Sequence, residues 1–110
     1  MSEQFKSILE EVKAKTANFD ASTYSGFLAI QVTLSDLNEK FYLEIKDGVL
    51  TIEPNEYNDR QSNLIMKSEN FVKMINGQLN SLLALTTGKL KIEGDLSKAK
   101  ELSNLLKGGK

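Results

Sequence analysis

The order of apolar and polar residues predicts a helix at the start of the chain. Four apolar side chains there recur at the three- and four-residue spacing that places them on one helical face: Phe5, Ile8, Leu9 and Val12. Ser2 is a candidate N-cap, and the pattern fades after Lys15 or Thr16. Residues 17–25 are polar and predict a connection rather than a further element.

The next part of the chain alternates between apolar and polar residues with a period of two, which indicates strands with one buried face. Four segments carry this pattern: 26–34, 40–46, 49–53 and 62–67. Asp47-Gly48 is the clearest turn signal, because a type I′ hairpin needs positive φ at both central positions. Pro54 ends the third strand by removing a backbone donor. We expect the first four strands to form an antiparallel meander.

The period returns to that of helices after residue 67. Helices are predicted over 68–75, ended by Asn76-Gly77, and over 79–86, ended by Gly88. A fifth strand over 89–93 must rejoin the sheet. The last helix, capped by Asp95 or Ser97, has this apolar face: Leu96, Ala99, Leu102, Leu105 and Leu106. The order α-β-β-β-β-α-α-β-α predicts an α+β fold, a five-stranded, mostly antiparallel sheet covered on one face by helices.

Composition narrows the range of functions. The 110 residues are enough for a single domain over 1–110. Fourteen basic and fifteen acidic side chains give a net charge of −1, so the chain lacks the basic surface that nucleic acids require. It contains no cysteine and no histidine, which excludes disulfides, zinc sites with sulfur ligands and nucleophile–histidine dyads. We therefore predict a protein that is not an enzyme, has no cofactor and binds no nucleic acid.

Acidic clusters do not change this prediction. Glu10-Glu11 lies on the first helix beside lysines and is best explained as surface charge. The loop residues Glu53, Glu56 and Asp59 lack the spacing and the closing glutamate of a calcium-binding loop, so neither a catalytic nor a metal site is predicted. The N-terminal segment lacks the apolar stretch of a signal peptide, and the ending LLKGGK matches no peroxisomal signal. We expect a cytoplasmic protein.

The segment FVKMINGQLNSLLALTTGKLKIEGDLSKAKELSNLL, residues 71–106, resembles the C-terminal half of the sterol carrier protein 2 family. The likeness lies in the order of a short apolar helix, a glycine, a Leu-rich helix, Gly-Lys, a strand, Gly-Asp and an apolar helix. The preceding strands, ending in TIEP, extend it over nearly the whole chain. The resemblance implies an apolar tunnel that binds fatty acids, acyl-CoA, sterols or phospholipids. Many members are modules of larger enzymes, whereas here we expect a stand-alone domain.

Residues 71–85 hold more apolar side chains than two short helices need to cover a sheet. Methionine suits a surface that accepts flexible chains, and the last helix offers a lid with a frayed Lys-Gly-Gly-Lys tail. The candidate cavity-lining residues are Met66, Phe71, Met74, Ile75, Leu79, Leu82, Leu83, Leu85, Leu102, Leu105 and Leu106. Ordinary core packing also explains every one of these stripes and is the more common explanation for any single leucine. Lysines are candidates for a headgroup or simply a solvated face: Lys67, Lys73, Lys89 and Lys98.

Two functions follow. The first is a non-catalytic lipid-binding or lipid-transfer protein that holds a lipid or fatty acyl ligand and makes transient contact with membrane surfaces. The second is an accessory domain with a filled core that regulates or scaffolds a partner enzyme. Saturable lipid uptake distinguishes the first from the second.

Overall fold

The computed structural model describes residues 2–106. Within this range the helices are α1 (Glu3–Thr16), α2 (Ser68–Ile75), α3 (Ser81–Thr86) and α4 (Leu96–Leu106). The strands are β1 (Leu28–Leu34), β2 (Glu39–Lys46), β3 (Val49–Glu53), β4 (Ser62–Met66) and β5 (Leu90–Gly94). The predicted order of elements is confirmed. A single 3₁₀ turn, Ala21–Thr23, was not predicted. The tail 107–110 lies outside the described residues, so its fraying stays a prediction.

The helix starts follow from side chains that accept hydrogen bonds from free backbone N–H groups. The Ser2 hydroxyl accepts from the N–H of Phe5 at 3.1 Å. Asn80 accepts from the N–H groups of Leu82 and Leu83, and for this reason α3 begins at Ser81, later than the predicted residue 79. Each cap fixes where a helix enters the fold and therefore which of its faces meets the sheet.

The strands form one sheet in the order β3-β2-β1-β4-β5. The pairs β1–β2, β2–β3 and β4–β5 are antiparallel, whereas β1 and β4 run parallel. Asp47 and Gly48 have φ of 53° and 77° in the turn between β2 and β3, which confirms the predicted hairpin. The prediction of a mostly antiparallel sheet is confirmed, and the fifth strand rejoins it beside β4.

The predicted four-strand meander is wrong at its last step. Only β1, β2 and β3 form a meander, and β4 pairs with β1 on the opposite side. A hairpin from β3 to β4 would require a short turn, but Pro54 interrupts the chain and the segment 54–61 is long enough to cross the sheet. This crossing places Leu64 and Met66, both almost completely buried, near the centre of the sheet.

The crossing segment lies on the sheet face opposite the helices. The backbone N–H of Tyr57 donates to the side-chain oxygen of Gln31 at 3.0 Å, and its hydroxyl donates to Glu44 at 2.7 Å. The rings of Tyr42 and Tyr57 meet edge to face with centroids 5.0 Å apart. Gln31 is buried beneath this segment, and the hydrogen bond from Tyr57 satisfies its side-chain oxygen without water.

The apolar core lies between the helices and the other face of the sheet. Phe41 on β2 stands between Phe5 of α1 and Phe71 of α2, with ring centroids 6.2 and 5.7 Å apart. The last helix, α4, packs on β1, β4 and β5 and also meets α1. Leu102 and Leu106 of α4 are buried in this core. On the side of the molecule that holds α3, α4 and β5, the helices leave a space above the sheet. The candidate site lies in that space.

Candidate functional site

An apolar cavity of about 280 Å³ lies between α3 and α4, over strands β4 and β5. Its lining is mostly apolar and comprises Leu64, Met74, Ser81, Leu82, Leu85, Leu90, Ile92, Leu96, Ala99, Lys100 and Ser103. The strands provide the floor, because Leu64 and Leu90 are almost completely buried. An engineered apolar cavity of about 150 Å³ already binds benzene, so this space is sufficient for part of an apolar ligand.

One stripe of α4 forms a wall of the cavity. Its lining residues, Leu96, Ala99, Lys100 and Ser103, follow the i, i+3, i+4, i+7 spacing of one helical face. This stripe extends about 10 Å along the helix axis. Asp95 orients the helix, since its carboxylate accepts from the backbone N–H of Ser97 at 2.9 Å and from the Ser97 hydroxyl at 2.7 Å. The hydroxyl bond in particular lowers the pKa of Asp95 and keeps the cap ionised.

The short helix α3 forms the opposite wall. It is held at its start by Asn80 and contributes Ser81, Leu82 and Leu85 to the lining. At the other end, the backbone N–H of Lys89 donates to the carbonyl of Ala84 at 2.8 Å. Ala84 is fully buried, so α3 is anchored on one side while its leucines remain on the other. A six-residue helix fixed in this way can present apolar side chains to a cavity without filling it.

The cavity reaches the protein surface beside exposed leucines. Leu82 and Leu96 line it and are 68% and 56% exposed. Leu83, next to Leu82 in the chain, is 56% exposed. Large apolar side chains held in water are costly and often mark a place where a ligand or another surface binds. Leu82 and Leu96 therefore define the mouth of the cavity.

The predicted lining residues separate into three groups. Met74, Leu82 and Leu85 line the cavity. Most of the others are buried in the core away from it: Met66, Phe71, Ile75, Leu102, Leu105 and Leu106. Leu79 is half-buried at the edge of the core, and Leu83 is exposed and absent from the lining. Contact of any of these residues with a ligand stays a prediction.

Several lining residues were not among the sequence candidates. The strand residues Leu90 and Ile92 and the helix residues Leu96 and Ala99 were assigned to ordinary packing faces. The polar residues Ser81, Lys100 and Ser103 lacked any signal that sets them apart from surface residues. The one sequence feature that could have pointed to a cavity wall is the helical stripe over 96–103, which mixes apolar, small and polar residues.

The lysines proposed for a headgroup lie elsewhere. Lys73 pairs with Glu69 at 3.3 Å and Lys98 with Glu101 at 3.3 Å, and neither lines the cavity. Lys67 and Lys89 are exposed and are likewise absent from the lining. The lysine that contributes to the lining is Lys100, which is exposed on α4.

A second depression lies between α1 and α2. Polar and charged side chains make up most of its lining, which comprises Gln4, Ser7, Ile8, Glu11, Ser68, Glu69, Val72 and Lys73. It is wider than the first cavity but offers only Ile8 and Val72 as apolar contacts. An acyl chain therefore gains little there, and the cavity between α3 and α4 is the better candidate.

Within residues 2–106, no cluster of acidic side chains is arranged to hold a metal ion. Over the same range, no helix has both the length and the apolar character needed to cross a bilayer.

The chain belongs to the SCP-2 sterol transfer family, whose family model matches residues 5–107. It is 28% identical over 107 residues to the peroxisomal multifunctional enzyme A of Dictyostelium discoideum. That match covers 96% of this chain but only 24% of the relative, so the chain spans about a quarter of its length.

Solved structures show the same fold. The apo sterol carrier protein 2 of Yarrowia lipolytica is 18% identical, with a TM-score of 0.72 over 98% of this chain and 94% of that one. The palmitated SCP2L2 of Aedes aegypti is 18% identical, with a TM-score of 0.68 over 96% of this chain and 95% of that one. The fold predicted from the sequence is thereby confirmed, as is the family.

Proposed function

We propose that this protein is a non-catalytic lipid carrier that holds the acyl chain of a lipid in the cavity between α3 and α4. The observation that carries the proposal is an apolar cavity of about 280 Å³ whose mouth is lined by exposed leucines. Membership of the SCP-2 sterol transfer family supports it. The lipid bound to the palmitated relative from Aedes aegypti agrees with an acyl ligand.

The size of the cavity favours a slender ligand. Pockets for drug-sized molecules occupy roughly 300–1,000 Å³, and this one lies just below that range. A single flexible chain can follow the stripe of α4, whereas a rigid fused-ring sterol needs a broader space. We therefore place a fatty acyl chain ahead of a sterol as the ligand.

The chemistry of the lining supports a carrier without catalysis. Lys100 is the titratable side chain of the lining, and the remaining polar groups are the hydroxyls of Ser81 and Ser103. Acid–base catalysis needs a proton donor or acceptor with a pKa near the working pH. Such a pair is absent from the lining described above, so we propose binding and release as the whole activity.

We propose that the mouth makes transient contact with a lipid surface during loading. Leu82 and Leu96 expose apolar area where the ligand must enter, and Leu83, next to Leu82 in the chain, is exposed as well. A membrane surface lets these side chains leave water while the chain moves into the cavity. The cytoplasm is the compartment we propose, since a chain without cysteine gains nothing from an oxidising environment.

A second function, an accessory domain for a partner enzyme, is favoured by a different observation. The Dictyostelium relative is named as an enzyme, and this chain matches about a quarter of it, 24%. On this view the exposed leucines are covered by the enzyme rather than by lipid. The cavity then has no ligand of its own.

A chain-length series tests the first function. Delipidated protein is titrated with saturated fatty acids of increasing length, and the heat of binding is measured. Each buried methylene contributes about 0.8 kcal/mol, so affinity should rise about fourfold per methylene until the cavity is full. No saturable binding at any length would remove the carrier function and leave the accessory domain.

A further inference from the structure

We propose that Tyr24 is a positioning residue of the cavity: its hydrogen bond to Glu101 holds α4 in place and thereby slows both the entry and the exit of the ligand. The inference rests on the proposed carrier function. It adds a pair of residues outside the cavity lining that regulates how fast the ligand is exchanged.

Tyr24 joins the segment between α1 and β1 to the last helix. Its hydroxyl donates to one carboxylate oxygen of Glu101 at 2.8 Å. The other oxygen of Glu101 lies 3.3 Å from the ammonium of Lys98. Burial, together with the hydrogen bond to Glu101, raises the pKa of Tyr24 above its ordinary value of 10.0, so the hydroxyl keeps the proton that it donates. Hydrogen bonds to a carboxylate are stronger than those between neutral groups.

The segment that carries Tyr24 is itself anchored. The carboxylate of Asp20 accepts from the backbone N–H and the hydroxyl of Ser22 at 3.1 and 2.6 Å, which fixes the 3₁₀ turn. This turn lies against β3 and the hairpin turn before it, where a Cβ on Gly48 would come within 3.3 Å of the Ser22 backbone. Tyr24 follows directly and packs against the core. Its bond to Glu101 therefore restrains α4 from a fixed support.

The helix α4 is tied down at its start and again near its middle. At the start, the backbone N–H of Asp95 donates to the carbonyl of Gln61 at 2.9 Å, and the Ser62 hydroxyl donates to the carbonyl of Asp95. Glu101 lies about 9 Å further along the helix axis and is absent from the cavity lining. A tilt of α4 away from the sheet pivots at the tied start and separates Glu101 from Tyr24.

The ligand has to pass between α3 and α4. The lining residues Leu64 and Ala99 are almost completely buried, whereas the mouth is formed by Leu82 and Leu96. An acyl chain reaches the buried end when the two walls separate enough to admit it. The hydrogen bond of Tyr24 is present whether the cavity is empty or filled and is lost while the walls are apart. It therefore raises the barrier in both directions and favours neither the empty nor the filled state.

The test is a stopped-flow measurement with cis-parinaric acid, a fluorescent fatty acid, entering and leaving the delipidated full chain. Tyr24→Phe removes the hydroxyl and keeps the ring. Tyr57→Phe is the matched control, because it removes an equivalent hydroxyl that donates to Glu44 at 2.7 Å on the other side of the sheet. The rate constants of binding and release, the Kd and the free energy of unfolding in urea are measured for each protein.

We expect Tyr24→Phe to accelerate binding and release alike, each about fivefold, the effect of one hydrogen bond, and to leave the Kd unchanged. Tyr57→Phe should leave both rate constants unchanged, even where it lowers the free energy of unfolding by as much as Tyr24→Phe does. Glu101→Leu removes the acceptor and should accelerate both steps as well. The variant with both changes should be no faster than either one, since the two side chains form a single contact.

Unchanged rate constants in Tyr24→Phe and Glu101→Leu would overturn the inference and leave the carrier function intact. A higher Kd that arises from faster release alone would also overturn it, because the bond would then shape the filled site rather than its opening. Absence of saturable binding to the unmodified chain would overturn both the inference and the carrier function.

Discussion

The carboxylate of Asp36, in the turn between β1 and β2, holds the first residue of α2. Its two oxygens accept from the backbone N–H and the hydroxyl of Ser68 at 2.7 and 2.6 Å. Lys67, the N-cap residue of α2, provides no side-chain cap, so Asp36 supplies one from a distant part of the sequence. This contact orients the helix that brings Met74 to the cavity.

Asp36→Ala should therefore lower the free energy of unfolding by about 1 kcal/mol, the usual effect of losing a helix cap. Hydrogen bonds from the hydroxyl and backbone of Ser68 lower the pKa of Asp36 below its ordinary value of 3.8. Because the folded-state pKa is depressed, the stabilisation is present above the unfolded pKa and is lost as pH falls through the folded one.

Urea unfolding at about pH 6 and at about pH 2 measures this difference. The difference in free energy of unfolding between the unmodified chain and Asp36→Ala should be present at the higher pH and should shrink at the lower. Asp59→Ala, in the exposed segment between β3 and β4, is the control and should change little at either pH. A difference in free energy of unfolding of the same size at both pH values would contradict the role of the ionised carboxylate.

Leu82 and Leu102 should respond differently to truncation. Leu102 is fully buried in the core, so Leu102→Ala should cost about 2–5 kcal/mol in unfolding free energy. Leu82 is 68% exposed at the mouth, so Leu82→Ala should change stability by no more than about 0.5 kcal/mol. Binding of a fatty acid should weaken in Leu82→Ala. A core-sized loss of stability with unaltered binding would show that Leu82 belongs to the packing rather than to the site.

Gly94, the last residue of β5, should not tolerate a side chain. Its φ is +94°, and a Cβ there would collide with the carbonyl oxygen of Gln61. Gly94→Ala should cost about 2 kcal/mol or more, because strained backbone and a clash add together. Gly26 has a φ of +103° and open space around it. The matched control Gly26→Ala should therefore lower the free energy of unfolding by only about 1 kcal/mol. If thermal unfolding shows equal losses of stability in Gly94→Ala and Gly26→Ala, the clash with Gln61 does not contribute.

Tyr57 should lose its phenol proton at a higher pH than an ordinary tyrosine. The hydrogen bond to Glu44, together with burial, raises its pKa to about 12. The neutral phenol is the favoured form, so its contribution to stability is complete below about pH 10, the ordinary tyrosine pKa, and is lost as pH rises through the folded value. The difference in tyrosinate absorbance between the unmodified chain and Tyr57→Phe reports this one residue. A midpoint near pH 10 would mean that the Glu44 contact does not persist in solution.

Local sequence patterns predicted the elements but not all of their partners. The spacing of Phe5 to Val12 and the alternation in β1 and β2 determine a face, because burial selects one side of a helix or strand. Pairing across the sheet depends on contacts far apart in sequence. The parallel pairing of β4 with β1 was therefore missed, although the polar segment after Pro54 is too long for a tight hairpin.

The candidate site was predicted only in part for a similar reason. Apolar side chains that fill a core and those that line a cavity have the same sequence signature, so Met74 and Leu106 were indistinguishable. Lys100 and Ser103 were missed because a polar residue on a helix is usually solvated. Their place in the cavity lining depends on the empty volume beside them. Only the three-dimensional arrangement reveals that volume.

Native mass spectrometry of the protein freshly purified from cells tests the central claim most directly, with Ala99→Phe as the comparison. Ala99 is buried and lines the cavity, so a phenylalanine there should occupy the space of the ligand while the chain stays folded. We expect adducts with the masses of single-chain lipids on the unmodified protein, and their loss in Ala99→Phe. A bare mass for the unmodified protein even after incubation with fatty acid, or the same adducts on both proteins, would contradict it.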